Sequence, residues 1–287
     1  MASMKIIKNI RQMQTWTERQ RRRGATIGFV PTMGALHEGH RSLMRGARKR
    51  SDAVVVSIFV NPAQFGPNED YARYPRDAKG DVALCRRENV DVLFMPTADT
   101  IYPERHDTKI LVGRVGEVLE GVFRPGHFSG VATVVAKLFQ MIRPDIAFFG
   151  QKDYQQTVVI KQLVRDLNFP VKIVAYPTVR EPDGLAMSSR NRYLSPEERK
   201  TSRVLFEALR KGRERIQQGE REAAAVREAM AFLIQKQSLA RIDYVAVVHP
   251  DTLKEVVEIE EPVVLLLAVR IGKTRLIDNV LVKPGVR

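Results

Sequence analysis

The sequence has 287 residues, which suits one large domain or two ordinary ones and allows a core that needs no disulfides. Hydrophobic residues make up 44% and charged residues 28%, which excludes wholesale disorder, and the single cysteine, Cys85, excludes a disulfide framework and a cysteine-based zinc site. The net charge is +14, of which residues 1–50 carry +10. This asymmetry suggests an anionic partner, which could be a nucleic acid, a membrane surface or a phosphorylated small molecule, and the alternative is a solvated basic helix over residues 11–23.

Two observations argue against a membrane or secreted protein. The longest apolar run, residues 262–269, has the length of a strand rather than the roughly 18 residues of a membrane helix. Lys5 and Lys8 are not followed by the apolar block of a secretory signal. The sequence therefore predicts a cytoplasmic protein without a membrane partner.

Helical and strand patterns alternate through the first 176 residues. The patterns predict helices over 5–23, 40–48, 78–88, 131–142 and 154–168, and strands over 26–30, 53–60, 90–95, 145–149 and 171–176. This alternation is typical of βαβ units around a parallel sheet. We therefore expect an α/β, doubly wound, Rossmann-like domain.

The pattern changes after a turn at residues 181–184. A helix start at Ser195 opens a long charged helical region to about 237, and strands are expected over 243–248, 263–270 and 276–282. We place a boundary here, with a Rossmann-like domain over 1–183 and a smaller α+β domain over 184–287. Ligands of such folds bind at the carboxyl ends of strands or between domains.

The first motif of chemical interest is the turn between the first buried strand and its helix, residues 30–40. A helix start offers unpaired amides to phosphate, and Gly34 and Gly39 allow close approach. His37 and His40 can lie on one face and donate hydrogen bonds to a polyphosphate. Two exposed loop histidines or a zinc pair are the alternatives, but no nearby acid or cysteine completes a zinc set.

Two further segments combine cations with hydroxyls or acids. Lys152 and Asp153 follow the strand at 145–149, where they can meet a nucleotide or simply cap the next helix. Ser188, Ser189 and Arg190 follow a flexible turn, where they can grip pyrophosphate or form an ordinary linker.

Polar residues also interrupt two apolar segments. Asn61 and Gln64 follow the strand at 53–60, and Gln64 can bind an uncharged, hydroxyl-bearing substrate. Arg124 and His127 belong to a Gly/Pro loop, where they can meet a carboxylate. The alternative for each of these residues is a structural role in a turn or loop.

Taken together, five segments resemble the pantothenate synthetase (pantoate–β-alanine ligase) family, of the nucleotidyltransferase and class I synthetase-like superfamily. They are residues 30–40, 57–65, 124–128, 149–153 and 187–190, and the similarity runs from about residue 5 to 279. One departure is Gln151, where the family has a glutamate.

The resemblance implies an ATP-dependent, AMP-forming carbon–nitrogen ligase. It would join (R)-pantoate to β-alanine through a pantoyl-adenylate, releasing pyrophosphate and AMP, in coenzyme A precursor synthesis. It also implies a homodimer, a smaller domain that closes over the ATP site, and Mg²⁺ carried mainly by the ATP phosphates.

The resemblance also assigns residues. The catalytic groups would be His37, His40, Lys152 and Arg190, with His40 as proton donor. Pantoate would be bound by Gln64 and Gln156, with Asn61, Arg124 and His127 as further substrate-binding candidates. The ATP site would comprise Met33, Gly34, Ala35, Leu36, His37, Glu38, Gly39, His40, Gly150, Gln151, Lys152, Asp153, Val179, Met187, Ser188, Ser189 and Arg190.

Two other functions remain open from the residues alone. One is a nucleotidyltransferase of the same superfamily, which would need further cations around its phosphorylated substrate. The other is a nucleic-acid-binding module, which would need exposed aromatic residues among the basic ones. Trp16 is the one aromatic residue between Lys5 and Arg23, and its spacing predicts burial.

Overall fold

The structure is a computed structural model, and it describes residues 4–67 and 69–285. Contacts divide the chain into two compact units, Met1–Gln151 with Gln155–Pro177, and Lys152–Tyr154 with Thr178–Arg287. The division at 177/178 precedes the boundary expected at 183/184. Arg180 explains the difference, because it bridges to Ala186 and binds Asp278, both in the second unit.

The strands of the first unit form a parallel sheet. They are β1 (Lys5–Ile7), β2 (Ile27–Thr32), β3 (Ala53–Ile58), β4 (Val92–Phe94), β5 (Ile146–Gly150) and β6 (Lys172–Tyr176). Their order is β1-β4-β3-β2-β5-β6, and every pair is parallel. The chain winds outward from β2 in both directions, so the predicted doubly wound α/β fold is confirmed.

Helices connect these strands and continue into the second unit. They are α1 (Ile10–Arg21), α2 (Glu38–Arg48), α3 (Ala78–Arg87), α4 (Ala98–Ile101), α5 (Arg114–Glu117), α6 (Glu120–Phe123), α7 (His127–Ile142), α8 (Tyr154–Asp166), α9 (Pro196–Thr201), α10 (Val204–Gln217) and α11 (Ala223–Gln235).

The sheet is buried on both faces, as the apolar strand sequences predict. Phe29 and Val55 point into one core cluster, which includes residues of α7. Val30, Val54 and Val56 point into a second cluster, which includes residues of α2 and α3. This period of two along neighbouring strands explains how helices cover both sides of the sheet.

Two segments differ from the pattern-based expectation. Residues 5–7 form β1 rather than the start of a helix, because they pair with β4, and Asn9 caps α1 by accepting a hydrogen bond from the Gln12 amide. Helix α7 begins at His127, so the Gly/Pro loop expected around Arg124 ends earlier than predicted.

The second unit has its own core and an antiparallel sheet. Strands β7 (Ala240–Val248), β8 (Val263–Ile271) and β9 (Thr274–Val282) lie in that order. The helical region expected to 237 is divided into α9, α10 and α11, and Ser195 begins it with a capping box to Glu198. The predicted smaller α+β part is confirmed.

Over the ranges that the structure describes, none of the helices combines the length and apolar character needed to cross a bilayer.

Candidate active site

Three of the predicted segments follow neighbouring strands of the sheet. The histidine turn follows β2, the Asn61–Gln64 segment follows β3, and Gly150 ends β5. Strand β2 lies between β3 and β5, so the three carboxyl ends are adjacent at the point where strand order reverses. This is the place where open α/β sheets bind ligands.

The turn after β2 takes an unusual backbone path. Gly34 has a φ of 83° and Ala35 a φ of 49°, so two successive residues are left-handed. A Cβ at Gly34 would lie 3.0 Å from an oxygen of Asp81 and 3.1 Å from Ile58. Glycine is therefore strongly favoured at 34, while Ala35 occupies a conformation that costs about 1–2 kcal/mol and must be stabilised by its surroundings.

The two histidines cap helix α2 reciprocally. The Nδ1 atom of His37 accepts a hydrogen bond from the Gly39 amide at 3.2 Å, and the Nδ1 atom of His40 accepts one from the His37 amide at 3.3 Å. Their ring centroids are 4.2 Å apart. Because both Nδ1 atoms act as acceptors, each neutral ring carries its proton on Nε2.

The other amides of this turn are also used within the protein. Ala35 and Leu36 donate to Asp81, and the side chains of both are buried. The amide of His40 donates to the carbonyl of His37. The prediction that this helix start offers unpaired amides is therefore wrong for these residues, and the histidine rings are the turn's other candidate donors.

The carboxylate of Glu38 is also occupied. It contacts Arg41 at 2.8 Å and Arg45 at 2.6 Å, and both arginines also bind the buried Glu88. These ion pairs tie α2 to the carboxyl end of α3. The side chain of Glu38 therefore has a structural role, and only its backbone remains a candidate for nucleotide contact.

The Asn61 side chain is buried and fully hydrogen-bonded. Its Nδ2 atom donates to Gln64 Oε1 and to the Gly130 carbonyl, both at 3.1 Å. Its Oδ1 atom accepts from the Ala63 amide at 3.2 Å and from the Tyr102 hydroxyl at 2.8 Å. Asn61 therefore does not fit the predicted role of a direct substrate ligand, and instead orients the amide of Gln64.

Gln64 keeps a donor for a ligand. Asn61 fixes its Oε1 atom, which leaves Nε2 pointing to the sulfur of Met33 at 3.0 Å. Thioether sulfur is a weak acceptor, so an oxygen of a bound ligand can compete for this donor. The geometry supports the predicted binding of a hydroxyl or carboxylate oxygen by Gln64.

Arg124 and His127 support the same loop instead of presenting free groups. Arg124 forms a two-point contact with Glu69, through Nε at 2.8 Å and Nη2 at 2.5 Å. In His127, Nδ1 lies 2.8 Å from the Gln64 carbonyl and Nε2 lies 3.2 Å from Arg124. Because the ring nitrogens of His127 and the guanidinium of Arg124 have protein partners, the prediction that this pair meets a substrate carboxylate is corrected to a supporting role for both residues.

The burial of His127 makes stability depend on pH. Desolvation, followed by the charge of Arg124, lowers its pKa from 6.5 to about 4, although Gln64, Glu69 and Glu120 oppose the shift. The unfolded chain takes up the proton first, so this stability is complete above pH 6.5 and is lost as the pH falls towards 4. We expect the loss to reach about 3 kcal/mol.

Urea unfolding of the wild type and His127→Asn at several pH values between about 7 and about 4 measures this effect. The variant should show a shallower decline in unfolding free energy than the wild type. His249→Asn, in the second unit, is the matched control for removal of a histidine. Parallel curves for the wild type and His127→Asn would contradict the burial of a neutral imidazole.

Neighbouring glutamines on α8 have different environments. Gln155 is buried, accepts from the Glu120 amide and donates to the carbonyls of Val115 and Val118. Gln156, the next residue of the helix, is half-buried. Gln155 is thus structural, and Gln156 remains the candidate for pantoate.

In the second unit, β9 holds the backbone of Lys152. The Asn279 side chain donates to the Lys152 carbonyl at 2.9 Å, and Lys152 Nζ lies 3.2 Å from Asp153. The Lys152 side chain is only 21% exposed. An ion pair with the partly exposed Asp153 is weak, so the Lys152 ammonium group can leave Asp153 and pair with a phosphate instead.

The predicted nucleotide residues Val179 and Met187 are brought together by a hairpin. The Met187 amide donates to the Val179 carbonyl at 3.0 Å. Ser188 then caps a short 3₁₀ helix, Ser189–Tyr193, by accepting from the Arg190 amide at 3.3 Å. Arg190 is half-buried at the start of this helix.

An ion pair anchors this hairpin to β9. Arg180 binds both oxygens of Asp278, at 2.6 and 3.0 Å, and donates to the Gly184 carbonyl at 3.0 Å. Burial raises the pKa of the Asp278 carboxyl, while Arg180, the Asn279 amide and Lys152 act against that shift. The two-point contact with Arg180 is the strongest of the influences that favour the ionised carboxylate.

A second ion pair fixes the far side of the hairpin. Arg199 on α9 contacts Asp183 and, at 2.7 Å, Glu181, while Asn191 donates to Glu181 at 2.8 Å. Arg199 lowers the pKa of the Asp183 carboxyl. These contacts hold the segment 181–191 without using its candidate nucleotide residues.

Sequence reasoning missed the supporting residues Asp81, Tyr102, Arg180, Arg199 and Asp278. Each acts through a partner distant in the sequence or in a loop, so no local motif marks it. The adjacent Asp278 and Asn279 carry the clearest signal, since they interrupt the apolar residues in the second half of β9.

Within the ranges the structure describes, no cluster of three or more histidine, cysteine or acidic side chains has a geometry that could hold a metal ion.

Comparisons with known proteins show the family of this chain. The family model described as pantoate-beta-alanine ligase matches residues 5–281. A pantothenate synthetase of Moorella thermoacetica is 54% identical over 280 residues, covering 98% of this chain and 99% of that protein. A pantothenate synthetase of Aquifex aeolicus is 51% identical over 276 residues, covering 96% and 97%.

Solved structures extend the similarity to the fold. The crystal structure of pantothenate synthetase from Thermus thermophilus has a TM-score of 0.94 and 46% identity, with 98% of this chain and 100% of that chain covered. A Francisella tularensis pantoate-beta-alanine ligase, complexed with beta-gamma ATP and beta-alanine, has a TM-score of 0.81 and 38% identity, with 97% and 98% covered. With the matched motifs at the sheet's switch point, these similarities show that the chain belongs to the pantoate–β-alanine ligase family.

Proposed function

We propose that the protein condenses (R)-pantoate with β-alanine to form pantothenate, using ATP and releasing AMP and pyrophosphate. The observation that carries the proposal is the His37–His40 pair, whose two Nε2–H donors are fixed by reciprocal capping. Family membership over residues 5–281 supports the same reaction.

The first step activates an unreactive acid. A carboxylate oxygen of pantoate attacks the α-phosphorus of ATP, the bond from that phosphorus to the bridging oxygen breaks, and pyrophosphate leaves. The product is pantoyl-adenylate, in which AMP is a good leaving group. Negative charge grows on the phosphates during this step, so preorganised donors accelerate it.

We assign four side chains to that charge. His37 and His40 donate from Nε2, and His40 is the proton donor by the family pattern. Lys152 and Arg190 supply positive charge to the phosphates. The two imidazoles act through directed hydrogen bonds, while the guanidinium can bind two phosphate oxygens at once.

The second step forms the amide. The neutral amine of β-alanine attacks the acyl carbon, the bond to the AMP oxygen breaks, and the nitrogen loses a proton as pantothenate forms. Gln64 lies after β3 with one donor available, so we assign it to pantoate and to the side of the site that receives β-alanine. Gln156 is the second pantoate ligand, and Asn61 and His127 act by holding Gln64 and its loop.

The rest of the nucleotide site follows the family pattern. Backbone groups of 33–40 would border ATP, since Ala35 and Leu36 are buried and Glu38 is paired. Further contacts come from the following residues: Gly150, Gln151, Asp153, Val179, Met187, Ser188 and Ser189.

Mg²⁺ would reach the site on the ATP phosphates, as it usually does in enzymes that use this nucleotide. Magnesium supplies charge neutralisation to the phosphates when it is bound. We also propose a cytoplasmic homodimer. Sedimentation analysis tests the oligomeric state.

The structure gives little support to the alternative functions. Trp16 packs against the core of the first unit, so the basic helix α1 lacks the exposed aromatic platform expected of a single-strand binder. The acceptor candidates Gln64 and Gln156 are uncharged, whereas a nucleotidyltransferase acting on a phosphorylated substrate needs cations there.

Product analysis tests the proposed function. Incubation with pantoate, β-alanine and ATP should give equal amounts of AMP, pyrophosphate and an amide product. A product that retains the adenylyl group would instead identify a nucleotidyltransferase. Omission of either organic substrate should abolish formation of the amide.

Gln64→Ala should mainly raise the pantoate requirement. Loss of one neutral hydrogen bond corresponds to an increase of about 3- to 10-fold in the pantoate KM, with a smaller change for ATP. Calorimetric titration of pantoate measures the effect directly. Gln162→Ala, on the exposed face of α8, is the matched control, and pantoate affinity equal in the two variants would remove Gln64 from the pantoate site.

A further inference from the structure

The backbone of the histidine turn is held by a residue outside all the recognised motifs. Asp81 lies in the first turn of α3 and is only 4% exposed. Its Oδ2 atom accepts from the Ala35 amide at 2.9 Å, and its Oδ1 atom accepts from the Leu36 amide at 2.8 Å. One carboxylate thus fixes two successive amides of the turn.

These contacts coincide with the strained part of the backbone. Gly34 and Ala35 are both left-handed, and alanine rarely adopts this conformation. The left-handed conformation directs the amides of Ala35 and Leu36 towards α3. The Asp81 carboxylate on that helix stabilises the conformation by accepting a hydrogen bond from each amide. His37 follows directly, so the direction in which α2 begins depends on the same turn.

The charge of Asp81 argues against a role in binding the nucleotide itself. A carboxylate beneath the turn repels phosphate, and it occupies two amides that could otherwise bind phosphate oxygens. Its negative charge is also felt by Cys85 on the same helix, where burial and then Asp81 raise the thiol pKa to about 12. The benefit of Asp81 must therefore be geometric.

Helix α3 contacts α2 at a second point, which serves as an internal comparison. Glu88 follows α3 and binds Arg41 at 2.6 Å and Arg45 at 2.9 Å. Both acids are buried, and both join α3 to the β2–α2 segment. Only Asp81 binds the part of that segment immediately before the histidines.

We propose that Asp81 is a positioning residue for the adenylation step, on the basis of the proposed function. It holds the turn so that the Nε2–H groups of His37 and His40 are aimed before the substrates react. A small displacement of such donors can cost up to about 100-fold in rate without a matching loss of substrate affinity. Loss of the Asp81 carboxylate should therefore destabilise the transition state more than the bound ground state.

Asp81→Asn provides the test, with Glu88→Gln as the matched control. The asparagine keeps the shape but turns one acceptor into a donor facing an amide. We expect pantoyl-adenylate formation in single turnovers without β-alanine to slow by about 10- to 100-fold. The KM for ATP should change less than about threefold, and reaction of the preformed adenylate with β-alanine should be little affected.

A second variant distinguishes positioning from simple loss of stability. Adding Ala35→Gly to Asp81→Asn removes the cost of the left-handed residue, so part of the rate should return, by about 2- to 5-fold. Thermal unfolding should show that Glu88→Gln loses stability without a comparable loss of the single-turnover rate. Should Asp81→Asn not fold, Asp81→Glu keeps the charge but displaces both oxygens, and the same kinetic split is expected.

Three results would overturn the inference: an unchanged adenylation rate in a folded Asp81 variant, an equal rate loss in Glu88→Gln, or loss confined to ATP binding. Absence of pantoyl-adenylate in the wild type would overturn the proposed function instead, and with it the basis for this role.

Discussion

His40→Ala is expected to slow pantoate-dependent exchange between ATP and pyrophosphate by about 100- to 1,000-fold. The substitution removes an Nε2–H donor that is already oriented before the reaction begins, because Nδ1 accepts the His37 amide. It also removes half of the reciprocal cap of α2, which should cost about 1 kcal/mol of stability. The rate effect is therefore much larger than the stability effect.

The exchange assay separates this prediction from general damage. It reports formation and reversal of the adenylate without the amide-forming step. His106→Ala, elsewhere in the first unit, is the matched control and should retain the wild-type rate. Exchange in His40→Ala at the wild-type rate would remove His40 from the adenylation step.

Asp278→Ala is expected to have the largest effect on stability. The carboxylate is 2% exposed and binds Arg180 through two oxygens, so its removal leaves a guanidinium with no counter-charge in a largely enclosed place. Breaking such a pair costs about 3–5 kcal/mol. Chemical unfolding of the second unit, followed by circular dichroism, measures the loss.

Two comparison variants show where that energy comes from. Glu214→Ala breaks an exposed pair with Arg210 in the same unit and should change stability by less than about 1 kcal/mol. Replacing both buried partners, as Arg180→Met with Asp278→Leu, should recover a large part of the loss because no charge is left unpaired. If Asp278→Ala proves as stable as Glu214→Ala, the buried ion pair contributes little to the stability of the protein.

The same ion pair also positions candidate site residues. Arg180 binds the Gly184 carbonyl before the Met187–Arg190 segment, and the neighbouring Asn279 binds the Lys152 carbonyl. The same two residues of β9 therefore hold both the hairpin and the backbone of Lys152.

The fold was predictable because its signals are local. The apolar runs around Val30 and Val55 continue through whole strands, and each is separated from the next by a helix-length pattern. The error at 5–7 has a simple cause. Ile6 and Ile7 fit a helical face as well as a short strand, and only pairing with β4, far along the chain, decides between them.

Candidate site residues could be predicted from the sequence where they belong to a short local motif. The motifs identified the turn containing His37 and His40 and the segment containing Gln64. They could not show that the polar side-chain atoms of Asn61 and His127 all have hydrogen-bond partners inside the protein. Burial and hydrogen-bond partners are defined only in the folded chain. Asp81 lies 45 residues from Leu36 and so carries no local signal at all.

Transfer of an oxygen label tests the central claim most directly. If pantoate labelled with ¹⁸O in its carboxylate reacts with ATP and β-alanine, the carboxylate oxygen that attacked the α-phosphorus must leave with AMP. Mass spectrometry should therefore find one ¹⁸O in the AMP phosphate for each amide formed, and none in the pyrophosphate. Amide formation with unlabelled AMP would contradict an acyl-adenylate, and with it the chemistry assigned to His37 and His40.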